Sequence, residues 1–158
     1  MYTNVLVFLG SIVLANAGCP DGFMSYTDNC YAFLPVKASW AEAKTYCEAI
    51  GAGLAVIESR QESDFIHGLV QREHNAISTS QIWIGGTDLI EEGVWLAPDN
   101  RQKLTFFDWA PKEPDNLNGQ HCLAIFNYGS LLWDDNRCEV HNYALCKMGG
   151  DSSVGIIG

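Results

Sequence analysis

Between Trp109 and Cys146 the chain brings together Glu113-Pro114-Asp115-Asn116, Trp133-Asp134-Asp135 and the cysteines Cys122, Cys138 and Cys146. Carboxylates and carboxamides are hard oxygen donors, and calcium takes six to eight such ligands at about 2.3–2.6 Å. The stretch therefore predicts a calcium site. Pro114 fixes the backbone between two oxygen donors, and a cis bond at Glu113-Pro114 would turn both flanking side chains toward one point.

A site of this kind must be carried by packed elements, and the apolar pattern supplies them. Phe23, Tyr26 and Cys30-Tyr31-Ala32-Phe33-Leu34, set among the turn-prone pairs Asp21-Gly22 and Asp28-Asn29, predict a hairpin of two short strands. Ser39-Trp40-Ala41-Glu42 has the pattern of a capping box, followed by Trp40, Ala43, Cys47 and Ile50 at helical spacing, with Gly51 as the stop. A second box, Ser59-Arg60-Gln61-Glu62, opens a helix with the apolar stripe Phe65, Ile66, Leu69 and Val70. Between the helices, Leu54-Ala55-Val56-Ile57 reads as a short buried strand.

The periodicity is lost from Arg72 to Gln81, which predicts an exposed connection. Ile82-Trp83-Ile84-Gly85-Gly86 restarts strand character, its paired glycines pointing to close backbone approach, and Trp95-Leu96 continues the sheet. Ala97 to Asn118 reads as loop except at Leu104-Thr105-Phe106-Phe107, and a loop this long inside a compact domain is usually functional. Cys122–Phe126, Leu131–Trp133 and Tyr143–Cys146 are the remaining strands. Trp83 and Trp133 are expected in the core; Trp109 fits packing or ligand contact. No internal repeat is present.

Met1 to Ala17 reads as a secretory leader, with an apolar run from Val5 to Leu14 and the small-x-small site Ala15-Asn16-Ala17, although its n-region lacks Lys and Arg. The run is shorter than the ~20 residues that span a bilayer. The expected organisation is a leader at 1–17, one domain at 18–148 and a flexible Gly/Ser-rich tail at 149–158, in a soluble extracellular protein with no membrane span. The net charge of −10 lies entirely outside the leader and argues against nucleic acid, whose phosphates it would repel. It suits a divalent-cation binder or a protein that touches mineral. Six cysteines, none in the leader, imply disulfides in an oxidising compartment; spacing alone leaves fifteen connectivities. No Asn-x-Ser/Thr sequon occurs.

Trp83-Ile84-Gly85-Gly86, Glu113-Pro114-Asp115, Trp133-Asp134-Asp135 and the six cysteines, in this order, resemble the C-type lectin domain from Cys19 to Cys146. Gly18-Cys19-Pro20-Asp21-Gly22-Phe23, Asp88-Leu89 and Glu92-Gly93-Val94-Trp95-Leu96 are most similar to the perlucin-like secreted lectins of molluscs. The resemblance implies an α+β C-type lectin fold, with two helices packed on small antiparallel sheets and a long calcium- and sugar-binding loop. It also implies the disulfides Cys19–Cys30, Cys47–Cys146 and Cys122–Cys138. By position it makes Glu113, Asp115, Gln120, Asp134 and Asp135 the calcium ligands, and Glu113, Asp115, Gln120 and Asp134 the sugar contacts.

Some positions depart from the family. Mannose-type members have Glu-Pro-Asn and galactose-type members Gln-Pro-Asp, whereas Glu113-Pro114-Asp115 takes half of each and offers only acceptors. Gln120 stands where Glu is usual and Asp134 where Asn is usual. Four carboxylates remain for calcium, and the mixed motif predicts weakened discrimination, with mannose-type binding extending to galactose. A second calcium site of some members would fall at Asp88, Glu92, Asn116, Gln120 and His121. Asn116 and His121 lack the carboxylates expected there, so that site is not expected to fill.

The leading expectation is calcium-dependent binding of glycans on microbial or cell surfaces, in innate-immune recognition or agglutination, with further copies of the chain as potential partners. The alternative is a biomineralisation role on calcium carbonate, with which perlucin-like proteins are associated. Catalysis is not expected: no Ser-His-Asp arrangement, phosphate-cradling glycine loop or His-Glu-x-x-His helix is evident. Glu113 and Asp115 could pair as in a glycosidase, but calcium would neutralise the acid such a mechanism needs. His121, Cys122, Cys138 and His141 superficially suggest zinc, yet secreted cysteines that fit a disulfide scheme are rarely thiolate ligands. His67 and His74 read as solvated or structural.

Overall fold

A computed structural model describes residues 18–73, 81–126 and 131–150. The expected leader, His74 and the end of the expected tail lie outside the described residues. The first hairpin is present as β1 (Met24–Tyr26) and β2 (Asn29–Phe33), with Ser25 opposite Cys30. Helix α1 (Trp40–Ala49) starts at a complete capping box: Ser39 accepts from the Glu42 amide, and the Glu42 carboxylate accepts from the Ser39 amide at 2.9 Å. Gly51, at φ +76, ends it in the left-handed conformation that glycine adopts without a Cβ penalty.

Helix α2 (Arg60–Arg72) is capped by Ser59, but its box is not reciprocal. Glu62 turns inward, only 6% exposed, accepting from the Glu58 amide at 2.9 Å, the Tyr31 hydroxyl at 2.7 Å and Lys147 Nζ at 2.8 Å. A buried carboxylate needs such partners, and these three link α2 to the sheet. Ile66, Leu69 and Val70 are fully buried as the stripe predicts, each contributing about 1.5–3 kcal/mol of burial energy.

The strands β3 (Gly53–Leu54), β4 (Ile82–Thr87), β5 (Cys122–Ile125), β6 (Trp133–Asn136) and β7 (Tyr143–Gly149) complete one sheet in the order β1-β2-β7-β4-β5-β6, with β3 also on β7. All pairs are antiparallel except β4 with β7, where Ile82 faces Tyr143. Four strand expectations shift. The Leu54–Ile57 strand is confined to Gly53–Leu54, although Ala55 still exchanges hydrogen bonds with Leu145 and Gly85. Trp95-Leu96 forms bridges, Leu96 with Thr87 and Lys103, rather than a strand. β6 starts at Trp133, not Leu131, because Leu131 sits at φ +55, outside the strand region; Asp134 and Asp135 thereby become strand residues. β7 runs on to Gly149, which pairs with Asn29.

The three implied disulfides are formed. Cys47–Cys146 closes a separation of 99 residues and joins α1 to β7, which the chain-entropy relation values at about 4.7 kcal/mol. Trp83 and Trp133 are buried as expected. Trp109 is partly buried against the Trp133 cluster, its ring 5.2 Å from Trp95, 5.5 Å from Phe107 and edge-on to Trp133 at 6.2 Å, so it packs beneath the loop that follows.

Candidate functional site

The loop after Trp109 is held at both ends and bent by unusual backbone. Ala110 donates its amide to Trp133 O at 2.8 Å. Lys112, Asn116 and Asn118 take positive φ, which asparagine tolerates better than most residues, and the Glu113-Pro114 bond is cis as the motif suggests. Asp135, 1% exposed on β6, clamps the loop: its Oδ1 accepts from the Asp115 amide at 3.1 Å and its Oδ2 from the Asn116 amide at 2.8 Å. Asp115 turns the next residues with its own Oδ1, which accepts from the Leu117 amide at 2.9 Å.

These ties bring carboxylate oxygens of Glu113, Asp134 and Asp135 within 4.8 Å of one another. Asp115 does not join that triad. It lines, with Glu113, Gln120 and Asp134, an open depression of about 370 Å³ whose other walls are Ala110, Pro111, Leu117 and Phe126. Four of the five residues expected from the motif thus line the depression; the fifth, Asp135, adjoins Glu113 and Asp134 and shapes the loop through the Asp115 and Asn116 amides.

The electrostatics are those of negative groups lacking compensation. Burial, then the Asp134 charge and its neighbours, push the Glu113 carboxyl from its ordinary 4.5 up to about 7. Burial and the Asp135 charge push Asp134 up to about 6. Glu113 Oε2 and Gln120 Oε1 are buried without a hydrogen-bond partner. An acceptor left so costs roughly 1–3 kcal/mol, more when charged, and two such atoms beside a carboxylate cluster fit a bound cation. The donor set, all oxygen, matches calcium better than a softer metal.

Gln81, read as part of an exposed connection, belongs to the site. Its amide donates to Asp134 Oδ2 and its oxygen accepts from Asn136 Nδ2. No local signal marks it, because its partners lie 53 and 55 residues further along the chain. Asp88, Glu92 and His121 form a separate cluster, also within 4.8 Å of one another, with Asn116 Nδ2 donating to Glu92 Oε2 at 2.6 Å.

The structure also assembles a Ser-His-Asp group that the sequence reading did not find. Ser63 Oγ lies 3.3 Å from His67 Nε2 and donates to Asp108 Oδ2 at 2.7 Å, while Arg60 Nη1 meets the same oxygen at 2.6 Å. Ser63 is fully buried, and its proton already goes to the acid rather than to the histidine. The group ties α2 to the Asp108 loop and offers no accessible nucleophile. The cysteines of the apparent zinc set are disulfide-bonded, so no thiolate remains there.

Against known proteins, residues 36–148 match the Lectin C-type domain. Perlucin of Haliotis laevigata is 36% identical over 132 residues, 82% of this chain and 83% of its own length. The galactose-specific lectin nattectin of Thalassophryne nattereri is 31% identical over 133 residues, 84% of this chain and 81% of its own. Among solved structures, the mouse scavenger receptor C-type lectin carbohydrate-recognition domain superposes with a TM-score of 0.73 at 28% identity, covering 83% of this chain and 96% of that one. Further relatives are longer proteins, of which the chain spans 28% to 33%. The chain belongs to the C-type lectin domain family, and no enzymatic family is indicated.

Proposed function

We propose that the chain is a secreted, calcium-dependent carbohydrate-binding protein, its leader at 1–17 removed and its domain spanning 18–148. The observation that carries this reading is the pair of buried, unpartnered acceptors, Glu113 Oε2 and Gln120 Oε1, beside Asp134 and Asp135 in an open depression. Glu113, Asp115, Gln120, Asp134 and Asp135 would hold the calcium, which when bound offers coordination to vicinal sugar hydroxyls. Glu113 and Asp115 accept hydroxyl protons at the rim, and the Gln120 amide is the donor of the set. Gln81 holds Asp134 in place. Binding of this kind needs no catalysis.

Because Glu113 and Asp115 are both acceptors, the site takes mannose-type sugars and extends to galactose. Glycans on microbial or cell surfaces are the partners, in recognition or agglutination, and a homo-oligomer would raise their avidity. A role at calcium carbonate is the second reading, favoured by the net charge of −10 and the similarity to perlucin. A glycan array with calcium and again with chelator decides between them. Calcium-dependent, sugar-displaceable signals support the lectin; adsorption to calcite with an array silent under both conditions supports the mineral role.

A further inference from the structure

We propose that Gln81 is a positioning residue for the depression, the middle of a one-way hydrogen-bond relay that requires an acceptor at position 134 and assigns Asp134 Oδ1 to the cation. This role rests on the proposed calcium site. The relay starts at a backbone donor, the Arg137 amide, which donates to Asn136 Oδ1 at 2.7 Å. Asn136 then donates from Nδ2 to Gln81 Oε1, and Gln81 donates from Nε2 to Asp134 Oδ2. A carboxamide has one acceptor end and one donor end, so each amide passes on the polarity it receives. A backbone N–H can only donate, which fixes the direction of the whole relay at Arg137.

The relay lies behind the site and not in it. Asp134 and Asn136 are two residues apart on β6, so their side chains leave the same face of the strand, and Gln81, immediately before β4, reaches both. Asp134 lines the depression, whereas Gln81 and Asn136 are not among its walls. Gln81 therefore acts on a cation only through Asp134. With Oδ2 committed to Gln81, the Asp134 oxygen that serves a cation is Oδ1. Outer partners of this kind set ligand orientation and affinity.

An acid at 134 is then a requirement of the relay as well as of the metal. In Asp134→Asn the new carboxamide can meet Gln81 Nε2 only with its oxygen, which turns its nitrogen, a donor, toward the cation. Turning the oxygen to the cation instead sets two donors against each other, and Gln81 cannot flip to relieve them because its own oxygen accepts from Asn136 Nδ2. The departure from asparagine at this position follows from that conflict. Without the Gln81 amide the conflict disappears, and an asparagine side chain can give its oxygen to the metal.

The test is calorimetric titration of the disulfide-intact protein with calcium chloride. Gln81 is half-buried, so its exchange leaves the core intact. Gln81→Met should lower the calcium affinity of the parent by roughly tenfold to hundredfold, the usual loss of an outer partner, yet raise the affinity of Asp134→Asn. That reversal of sign separates the relay from the lost charge, because Gln81→Met leaves the charge unaltered in either background. Gln81→Glu/Asp134→Asn, in which residue 81 accepts from both neighbouring amides, should also bind calcium more tightly than Asp134→Asn. A fall in affinity on Gln81→Met in both backgrounds, or no change in either, would overturn the proposal. Unfolding equilibria in chelator judge the relay without calcium: Asp134→Asn should favour unfolding several-fold more beside Gln81 than in Gln81→Met, since a charged acceptor is lost only there. Additive effects would overturn it. A parent that binds no calcium sinks the calcium site itself, and the coupling in chelator then decides for or against the relay alone.

Discussion

Glu113 and Asp134 carry a charge state that depends on what sits between them, and pH exposes it. In the fold both carboxyls bind protons more tightly than their ordinary values of 4.5 and 3.8, reaching about 7 and about 6. The folded state then holds more protons than the unfolded chain between roughly pH 4 and 7, so these groups stabilise it increasingly as pH falls through that window. The proposed calcium site needs the ionised forms, so its affinity is expected to fall over the same range. On that proposal, the rise in Tm on adding calcium should be large near pH 8 and small near pH 5. An equal rise at both would show that the acids do not compete with the cation. Asp115 allows a second test at this scale. Its Oδ1 accepts from the Leu117 amide, a role asparagine keeps while adding an N–H donor, so Asp115→Asn should preserve the loop and shift preference toward mannose. Glu113→Gln should shift it toward galactose. Changes of about tenfold, 1.4 kcal/mol, are expected on monosaccharide competition, and an unaltered profile in both variants would assign selectivity to other residues of the loop.

Elements were legible where local chemistry decides them and obscure where pairing does. Ser39 and Glu42 announce α1 because both partners of the box lie within one turn. Glu62 has the same spacing to Ser59 but is drawn inward by Tyr31 and Lys147, 31 and 85 residues away, which no local pattern records. β6 was displaced for a similar reason, a left-handed Leu131 inside an apolar run. Gln81 meets Asp134 and Asn136 only across 53 and 55 residues of chain, whereas the Glu-Pro-Asp and Trp-Asp-Asp motifs carry four of the expected site residues in contiguous stretches. The paired glycines were read correctly as a close approach. A Cβ at Gly85 would stand 2.6 Å from Leu54 O, and one at Gly86 would stand 2.2 Å from Leu123 Cδ1. Leu54 O is backbone and cannot swing aside, so Gly85→Ala should force β3 and β4 apart. A loss of about 1–3 kcal/mol, the usual range for overpacking, is expected by chemical denaturation; a midpoint unchanged within error would mean that the two strands separate freely.

Across the whole molecule, the sheet order places the hairpin β1-β2 at one edge and β6, with Asp134 and Asp135, at the other. Two disulfides of similar reach serve these edges: Cys19–Cys30 spans 11 residues at the hairpin, and Cys122–Cys138 spans 16 around β6. Loops of this size are each worth about 3 kcal/mol in the chain-entropy relation, so removing either bridge should cost similar stability. Their consequences for binding should differ. Cys122 opens β5 and Cys138 follows β6, so this bridge fixes the strand pair that presents Asp134 to the depression and Asp135 to the Asp115 and Asn116 amides. The double variant Cys122→Ser/Cys138→Ser should therefore lose calcium affinity by about tenfold or more at a temperature where it is still folded, while Cys19→Ser/Cys30→Ser retains it. Tm measured with calcium and with chelator for each variant gives both quantities, since a ligand that binds only the native state stabilises it by RT ln(1 + [L]/Kd). Equal calcium-induced shifts in the two variants would mean that β5 and β6 hold the ligands without their covalent tie.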